Sequence, residues 1–255
     1  MGLLGDLWRA LRGAIENLGD VVLFLGRLLA YTPASFRRFG LIIHQVYNAG
    51  ALSLVIIMLC GLFVGMVLGL QGFDVLQRFG SEESLGSAAA LGLLKELGPV
   101  VTALLFSGRA GTALASEIGL MQATDQIAAM QMMAVDPIRR VCVPRFVGGI
   151  IAMPLLAAIF SAIGIYGAQL VGVQMLGVDA GQFWSQMRGS VEVRDVMEGV
   201  IKSGVFGVAC SLIAVYEGFN AVPTAEGVGR ATTRTVVISA VVTLLLDYML
   251  TAALL

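Results

Sequence analysis

The chain is poor in the groups from which most enzymes and metal centres are built. Of its 255 residues 13% are charged, histidine occurs once, at His44, lysine twice, at Lys95 and Lys202, and cysteine three times. A single histidine excludes a multi-histidine metal site within one chain. Cys60, Cys142 and Cys210 are too scattered to suggest a metal site or a disulfide framework. There is no HExxH pattern and no GxSxG elbow, and a Ser-His relay would have to use His44. Both lysines follow an aliphatic residue, Leu94 or Ile201, where a phosphate-binding loop has glycine. Any ATP-driven cycle therefore belongs to a separate subunit, and this chain reads as non-catalytic, with no cofactor and no metal of its own.

What is present is apolar residue in long runs. Hydrophobic residues make up 58% of the chain, and between Arg145 and Asp179 there is no Asp, Glu, Lys or Arg. That run alone exceeds the roughly 20 residues that cross about 30 Å of hydrocarbon. The pattern predicts an all-α integral membrane protein with five transmembrane helices, near 49–72, 86–108, 146–175, 196–217 and 235–255.

An odd number of spans puts the termini on opposite sides, and the arginines choose which. Arg9, Arg12, Arg27, Arg37 and Arg38 precede the first span; Arg109, Arg139, Arg140 and Arg145 fall in the second connection, Arg230 and Arg234 in the fourth. The first and third connections hold only Arg78, Arg188 and Arg194. The N-terminus is expected in the cytoplasm and the C-terminus on the other side. Before the first span, Leu4, Leu7, Leu11, Ile15, Leu18, Val22, Leu25 and Leu29 recur every three or four residues with charges between them. That period predicts an amphipathic helix lying in the membrane interface. Residues 1–48 thus form interfacial and connecting helices, and 49–255 the five-span domain.

Gly61, Gly65 and Gly69 make overlapping small-xxx-small steps, and Ser107, Gly111, Ala115 and Gly119 repeat the spacing, so helix backbones can meet closely. Packing within one bundle and a subunit interface both fit. Within the second span, Lys95 and Glu96 interrupt the apolar stretch Gly86 to Gly108, and Pro99 follows. Ionisable groups cost about 2.5 to 3.5 kcal/mol each in lipid and mark a functional interior. Pro99 has no N–H for the Lys95 carbonyl, so a bend with an open acceptor is expected beside the charges.

The second connection carries a short cytoplasmic helix. Thr124 is placed to cap it, with Asp125 in its first turn, and Asp136-Pro137 to stop it. Ile127, Met130 and Ala134 form an apolar stripe that Met132 and Met133 widen. A Met-rich face of this kind suits either docking into a partner's groove or covering the ends of the bundle.

The stretch LLKELGPVVTALLFSGRAGTALASEIGLM with the following DQIAAMQMMAVDPIRRVCVPRF, and GVGRATTRTVV from Gly227 to Val237, resembles the MlaE (YrbE-type) permeases of lipid ABC transporters. The resemblance implies a homodimeric permease of the bacterial inner membrane that carries phospholipid between that membrane and a periplasmic MCE carrier, maintaining outer-membrane lipid asymmetry. It further implies an MlaF-like ATPase that uses ATP, an MlaB-like STAS-domain protein and an MlaD-like MCE-domain hexamer as partners, and no nucleic acid. By the same resemblance, Thr124, Asp125, Ile127, Met130 and Met133 belong to a coupling helix, and the N-terminal segment is an elbow helix. The family often has Arg-Glu where this chain has Lys95-Glu96, and a lysine acts on phosphate as a point charge.

Counting inward from Ser84 and from Val191 puts Lys95 and Lys202 at one depth, about eleven residues or roughly 16 Å from the periplasmic end. Two such cations suit a phosphate in a cavity with apolar walls. The alternatives are an acidic partner on a neighbouring helix for Lys95 and Glu198, one turn away, for Lys202. Glu96 points about 100° from Lys95 and is expected to balance a cation or meet the head group. Leu70, Leu76, Phe79 and Leu97 are acyl-chain candidates at the same level. Asp247, alone in the last span, is either structural or a lysine's partner. An ion-coupled secondary transporter and a membrane scaffold subunit are the rival functions; the first would commonly show a repeated half, and no internal repeat is present.

Overall fold

A computed structural model describes residues 19–33 and 39–254. Helix α1 covers 19–33. Five long helices follow, α2 over Gly40–Arg78, α3 over Glu82–Ala123, α5 over Ile138–Met175, α7 over Val193–Phe219 and α8 over Ala225–Leu254. Two short ones, α4 over Gln126–Met132 and α6 over Ala180–Ser190, close opposite ends of the bundle. All five expected spans are present, and each runs beyond the apolar stretch that announces it. Hydropathy marks where side chains leave water, whereas a helix continues for as long as its backbone hydrogen bonds can be made.

Arg109, Arg194, Arg230 and Arg234 therefore lie inside helices rather than in connections. Arg109 is accommodated by hydrogen bonds: its Nη1 donates to the Asn48 carbonyl at 2.8 Å and to Ser53 Oγ at 3.4 Å. Those groups flank the tight turn Ala51–Ser53 that interrupts α2, so the guanidinium staples the break. Of the expected N-terminal amphipathic helix only 19–33 fall within the described residues; there Phe24 and Leu28 are buried, packed with Tyr216 and Phe219 of α7, while Val22, Leu23 and Leu29 are exposed.

Helices α2 and α5 run parallel in backbone contact. A Cβ on Gly61 would stand 2.9 Å from the Phe160 carbonyl oxygen, one on Gly65 would collide with the Gly164 backbone, and one on Gly69 would meet Ala168. The glycine steps thus pack within the chain, and the second series does the same: Gly111 lies on Thr235, and Gly119 on Val228 and Ala221. Interiors at this density do not absorb a methyl group without backbone movement. We predict that Gly65→Ala destabilises the protein by about 1 to 3 kcal/mol, read as an earlier thermal melt in detergent. Gly108→Ala, where a Cβ meets nothing within 4 Å, will leave the melt unchanged or raise it slightly.

Pro99 acts as the sequence suggests, though through a wider turn than a simple bend. Residues Gly92–Leu97 form a π-helical turn in which the Gly98 N–H reaches back to the Leu93 carbonyl. Such turns accommodate a missing donor and gather at functional sites. The short helix α4 also starts and stops differently from expectation. Thr124 turns its hydroxyl back to the Leu120 carbonyl, closing α3, and Asp125 takes the N-cap position in a left-handed conformation at φ 56°. Ala134 at φ 57° ends the helix, with Val135 N–H on the Met130 carbonyl and Ala134 N–H on the Gln131 carbonyl. This reverse turn satisfies the last carbonyls before Pro137 is reached. Helix α6 was not expected; its signal is Asp179, whose Oδ1 accepts from the Gln182 N–H, ahead of Phe183, which is buried against Gly86.

Candidate functional site

Charged side chains from α3, α7 and α8 meet at one level inside the bundle. On α7, Asp195, Glu198 and Lys202 follow at three- and four-residue spacing and so share a stripe. The π-helical turn of α3 carries Lys95 and Glu96, and α8 brings Asp247 and Thr251.

Lys95 Nζ lies 3.0 Å from Asp195 Oδ1 and 2.9 Å from Glu198 Oε2. Arg194 Nε reaches the other Glu198 oxygen at 3.2 Å. Asp195 also accepts from the Glu192 N–H at 2.9 Å, so one carboxylate caps α7 and fixes Lys95.

Lys202 has a separate set of partners. Its Nζ donates to Glu96 Oε1 at 2.9 Å, to Thr251 Oγ1 at 2.7 Å and to the Lys95 carbonyl at 3.0 Å, with Asp247 Oδ1 at 3.6 Å. The third of these is the carbonyl that Pro99 leaves without an α-helical donor. Thr251 passes the interaction on, donating to Glu96 Oε2 at 3.4 Å. Three donors on one ammonium meet three acceptors, so a lysine side chain only 2% exposed finds its hydrogen-bond partners inside the bundle. Asp247 Oδ1 is buried without a hydrogen bond.

The structure therefore brings Lys95, Glu96, Lys202 and Asp247 together and divides their work. Lys95 keeps 34% exposure at the edge of the cluster, whereas Lys202 is sealed between three helices. Glu198, one turn from Lys202, pairs with Lys95 instead, and Glu96 serves Lys202. Sequence reasoning missed Asp195, Arg194 and Thr251. The stripe spacing on α7 could have found the first; nothing local marks the last. Leu97 is half-buried beside the cluster. Leu70 and Leu76 lie on α2, which contributes no group to the cluster, and Phe79 directly follows its last residue; Leu70 and Phe79 are exposed and Leu76 is half-buried.

At the opposite end, α4 turns Ile127 into the bundle with Met130 packed partly against the same core, while Met132 and Met133 stand 90% and 67% exposed. Thr124 and Asp125 are exposed at its start.

Comparison with known proteins places the chain in a family. The family model described as Permease MlaE matches residues 42–253. The intermembrane phospholipid transport system permease protein MlaE of Haemophilus influenzae is 53% identical over 92% of this chain and 90% of its own length. A probable ABC transporter permease protein of Rickettsia bellii is 38% identical over 84% of this chain and 82% of its own. The chloroplastic protein TRIGALACTOSYLDIACYLGLYCEROL 1 of Arabidopsis thaliana is 30% identical over 82% of this chain and 60% of its own length.

Proposed function

The chain belongs to the MlaE permease family, and from that membership we propose that it is the membrane-spanning, non-catalytic permease subunit of a phospholipid ABC transporter. The observation that carries the reading is the ionic cluster inside the bundle, since ionisable groups placed within membrane spans mark a substrate path by default. We place the chain in the bacterial inner membrane with its N-terminus in the cytoplasm, as the arginine distribution favours. The α6 end and the cluster near it then face the periplasm, and the α4 end faces an ATPase. The full assembly is a homodimer with an MlaF-like ATPase, an MlaB-like STAS protein and an MlaD-like MCE hexamer that exchanges lipid with it.

The geometry gives each lysine its role. The cluster holds Lys95, Lys202 and Arg194 against Glu96, Asp195, Glu198 and Asp247, so a lipid phosphate entering it must exchange with a carboxylate. Lys95 is the exchangeable cation, because it is partly exposed and each of its two carboxylates keeps a partner without it, Asp195 the Glu192 N–H and Glu198 the Arg194 side chain. Lys202 ties α3, α7 and α8 together beneath it. Tilting α7 or α8 changes which acceptors reach the lysines, and that links a stroke at the α4 end to phosphate affinity.

The test is the phospholipid that copurifies with the complete complex. Lys95→Ala and Lys95→Glu are expected to lower it several-fold and to weaken the outer membrane without loss of assembly, while Lys95→Arg retains it. Unchanged lipid and transport in the alanine and glutamate variants would overturn the assignment. Copurification of an ATPase and an MCE-domain protein with the tagged chain separates a transporter from a secondary transporter or scaffold.

A further inference from the structure

Beside the cluster, a groove of about 190 Å³ opens between α3, α5 and α7. Its floor is Pro99, Ala157, Ser161, Gly199 and Ser203, all buried. Its rim is Ala158, Ala162, Val196 and Val200, all exposed on the lateral face of the bundle. The two hydroxyls in the floor are spent locally, Ser161 Oγ on the Leu93 carbonyl at 3.2 Å and Ser203 Oγ on the Val200 carbonyl at 2.9 Å. Pro99 and Pro154 line it without an N–H. The groove thus offers almost nothing for water to bond, and roomy sites of that kind take apolar occupants.

The helices cannot close over it. A Cβ on Gly199 would strike the Leu94 carbonyl, and one on Gly98 would strike Ser161 Oγ, so α7 already meets the backbone of α3 on one side and the Ser161 side chain of α5 meets it on the other. Counting from Val193, the rim residue Val200 lies about 10 Å into the span, within the hydrocarbon layer. The apolar matter available at that depth is a fatty chain.

The charges beside it select which molecule supplies that chain. Leu94 in the groove precedes Lys95, and along α7 the groove residues Val196, Gly199 and Ser203 directly follow the cluster residues Asp195, Glu198 and Lys202, so the groove and the charged stripe occupy adjacent faces of the same two helices. Arg194 is 73% exposed and, among the described residues, pairs only with Glu198. We propose that the groove is a lateral acyl-chain slot, taking one tail of a phospholipid from the surrounding leaflet while its phosphate meets Lys95 and Arg194. Substrate then reaches the cluster sideways, between α5 and α7. This inference rests on the phospholipid-permease reading and assigns that site its tail-binding part and Arg194 as a second head-group contact.

The complete complex, reconstituted in phosphatidylethanolamine vesicles doped with a phospholipid carrying an acyl-chain diazirine, tests this by photolabelling and peptide mass spectrometry. Labelling at Ala158, Ala162, Val196 and Val200 is expected to saturate as the probe fraction rises, and to fall several-fold in Ala162→Phe, whose ring fills the slot from its exposed rim. Labelling at Phe63 and Val67, exposed on α2, is expected to rise in proportion to the probe and to ignore that substitution. Proportional labelling at the groove, or saturation that Ala162→Phe leaves untouched, overturns the slot. Lys95→Ala separates the two readings: lost copurified lipid with proportional groove labelling removes the slot alone, whereas saturating groove labelling with unchanged lipid and transport removes the head-group role of Lys95 and leaves the slot.

Discussion

Lys202→Ala is expected to melt well below the parent protein and to abolish lipid transport. Its ammonium touches α3 through both the Glu96 side chain and the Lys95 carbonyl, and α8 through Thr251 and Asp247. Removing one partner from a buried ion pair costs about 3 to 5 kcal/mol, because the other charge is left without compensation. Here the lower figure applies, since Glu96 is 44% exposed and can turn outward. Asp247, whose Oδ1 is buried, turns outward less readily, and the Lys95 carbonyl loses the donor that Lys202 supplies. Lys202→Met combined with Glu96→Gln and Asp247→Asn should recover much of the melt, since removing a whole buried charge set is far milder than removing half of it. It should not recover transport. A single Lys202→Ala variant with an unshifted melt in detergent would show that the three helices do not depend on this lysine.

The five spans were legible because a membrane asks for a long apolar run and few other structures do. Their ends were not, because Arg109, Arg194, Arg230 and Arg234 look like loop residues to hydropathy yet stay helical. Arg109 finds a backbone carbonyl, Arg194 finds Glu198, and Arg230 finds Glu226 four residues away at 2.6 Å. The presence of a polar interior could be read from Lys95, Glu96 and Pro99, and the open Lys95 carbonyl from proline chemistry alone. Who pairs with whom could not be read. Lys95 and Asp195 are 100 residues apart and Glu96 and Thr251 are 155 apart, so the pairing depends on how three helices are rotated about their axes. Small residues decide that rotation, Gly199 against Leu94 and Gly218 against Ala115, and the chain contains 32 glycines with no local mark to distinguish these. The short helix α4 shows the same boundary: its existence and Met-rich character were readable, while its cap at Asp125 and its end at Ala134 depend on left-handed residues that carry no glycine to announce them.

The Met132→Asp, Met133→Asp double variant is expected to lose the copurifying ATPase while the permease itself inserts and melts as before. Met132 ends α4 and Met133 directly follows it, and both side chains are exposed, so two carboxylates there remain hydrated at little cost. In a partner's apolar groove the same carboxylates lose that hydration, at several kcal/mol unless they are paired, and each 1.4 kcal/mol is tenfold in affinity. Loss of at least a hundredfold in affinity follows, visible as absence of the ATPase from the tagged complex and failure of lipid-dependent growth. Ile127→Asp supplies the contrast. At 3% exposure against Ile118 and Val141 in the core, it must place its charge inside the permease, so the melt should drop as well as the coupling. Met130, partly packed on the same core, should fall between the two. The sequence alone offers Ile127 and Met130, with Met133, for coupling; the fold buries Ile127 and packs Met130 partly against the bundle, and leaves Met132 and Met133 exposed beyond them. Retention of the ATPase by the double methionine variant would reduce α4 to a cover for the helix ends, and the stroke would have to enter elsewhere.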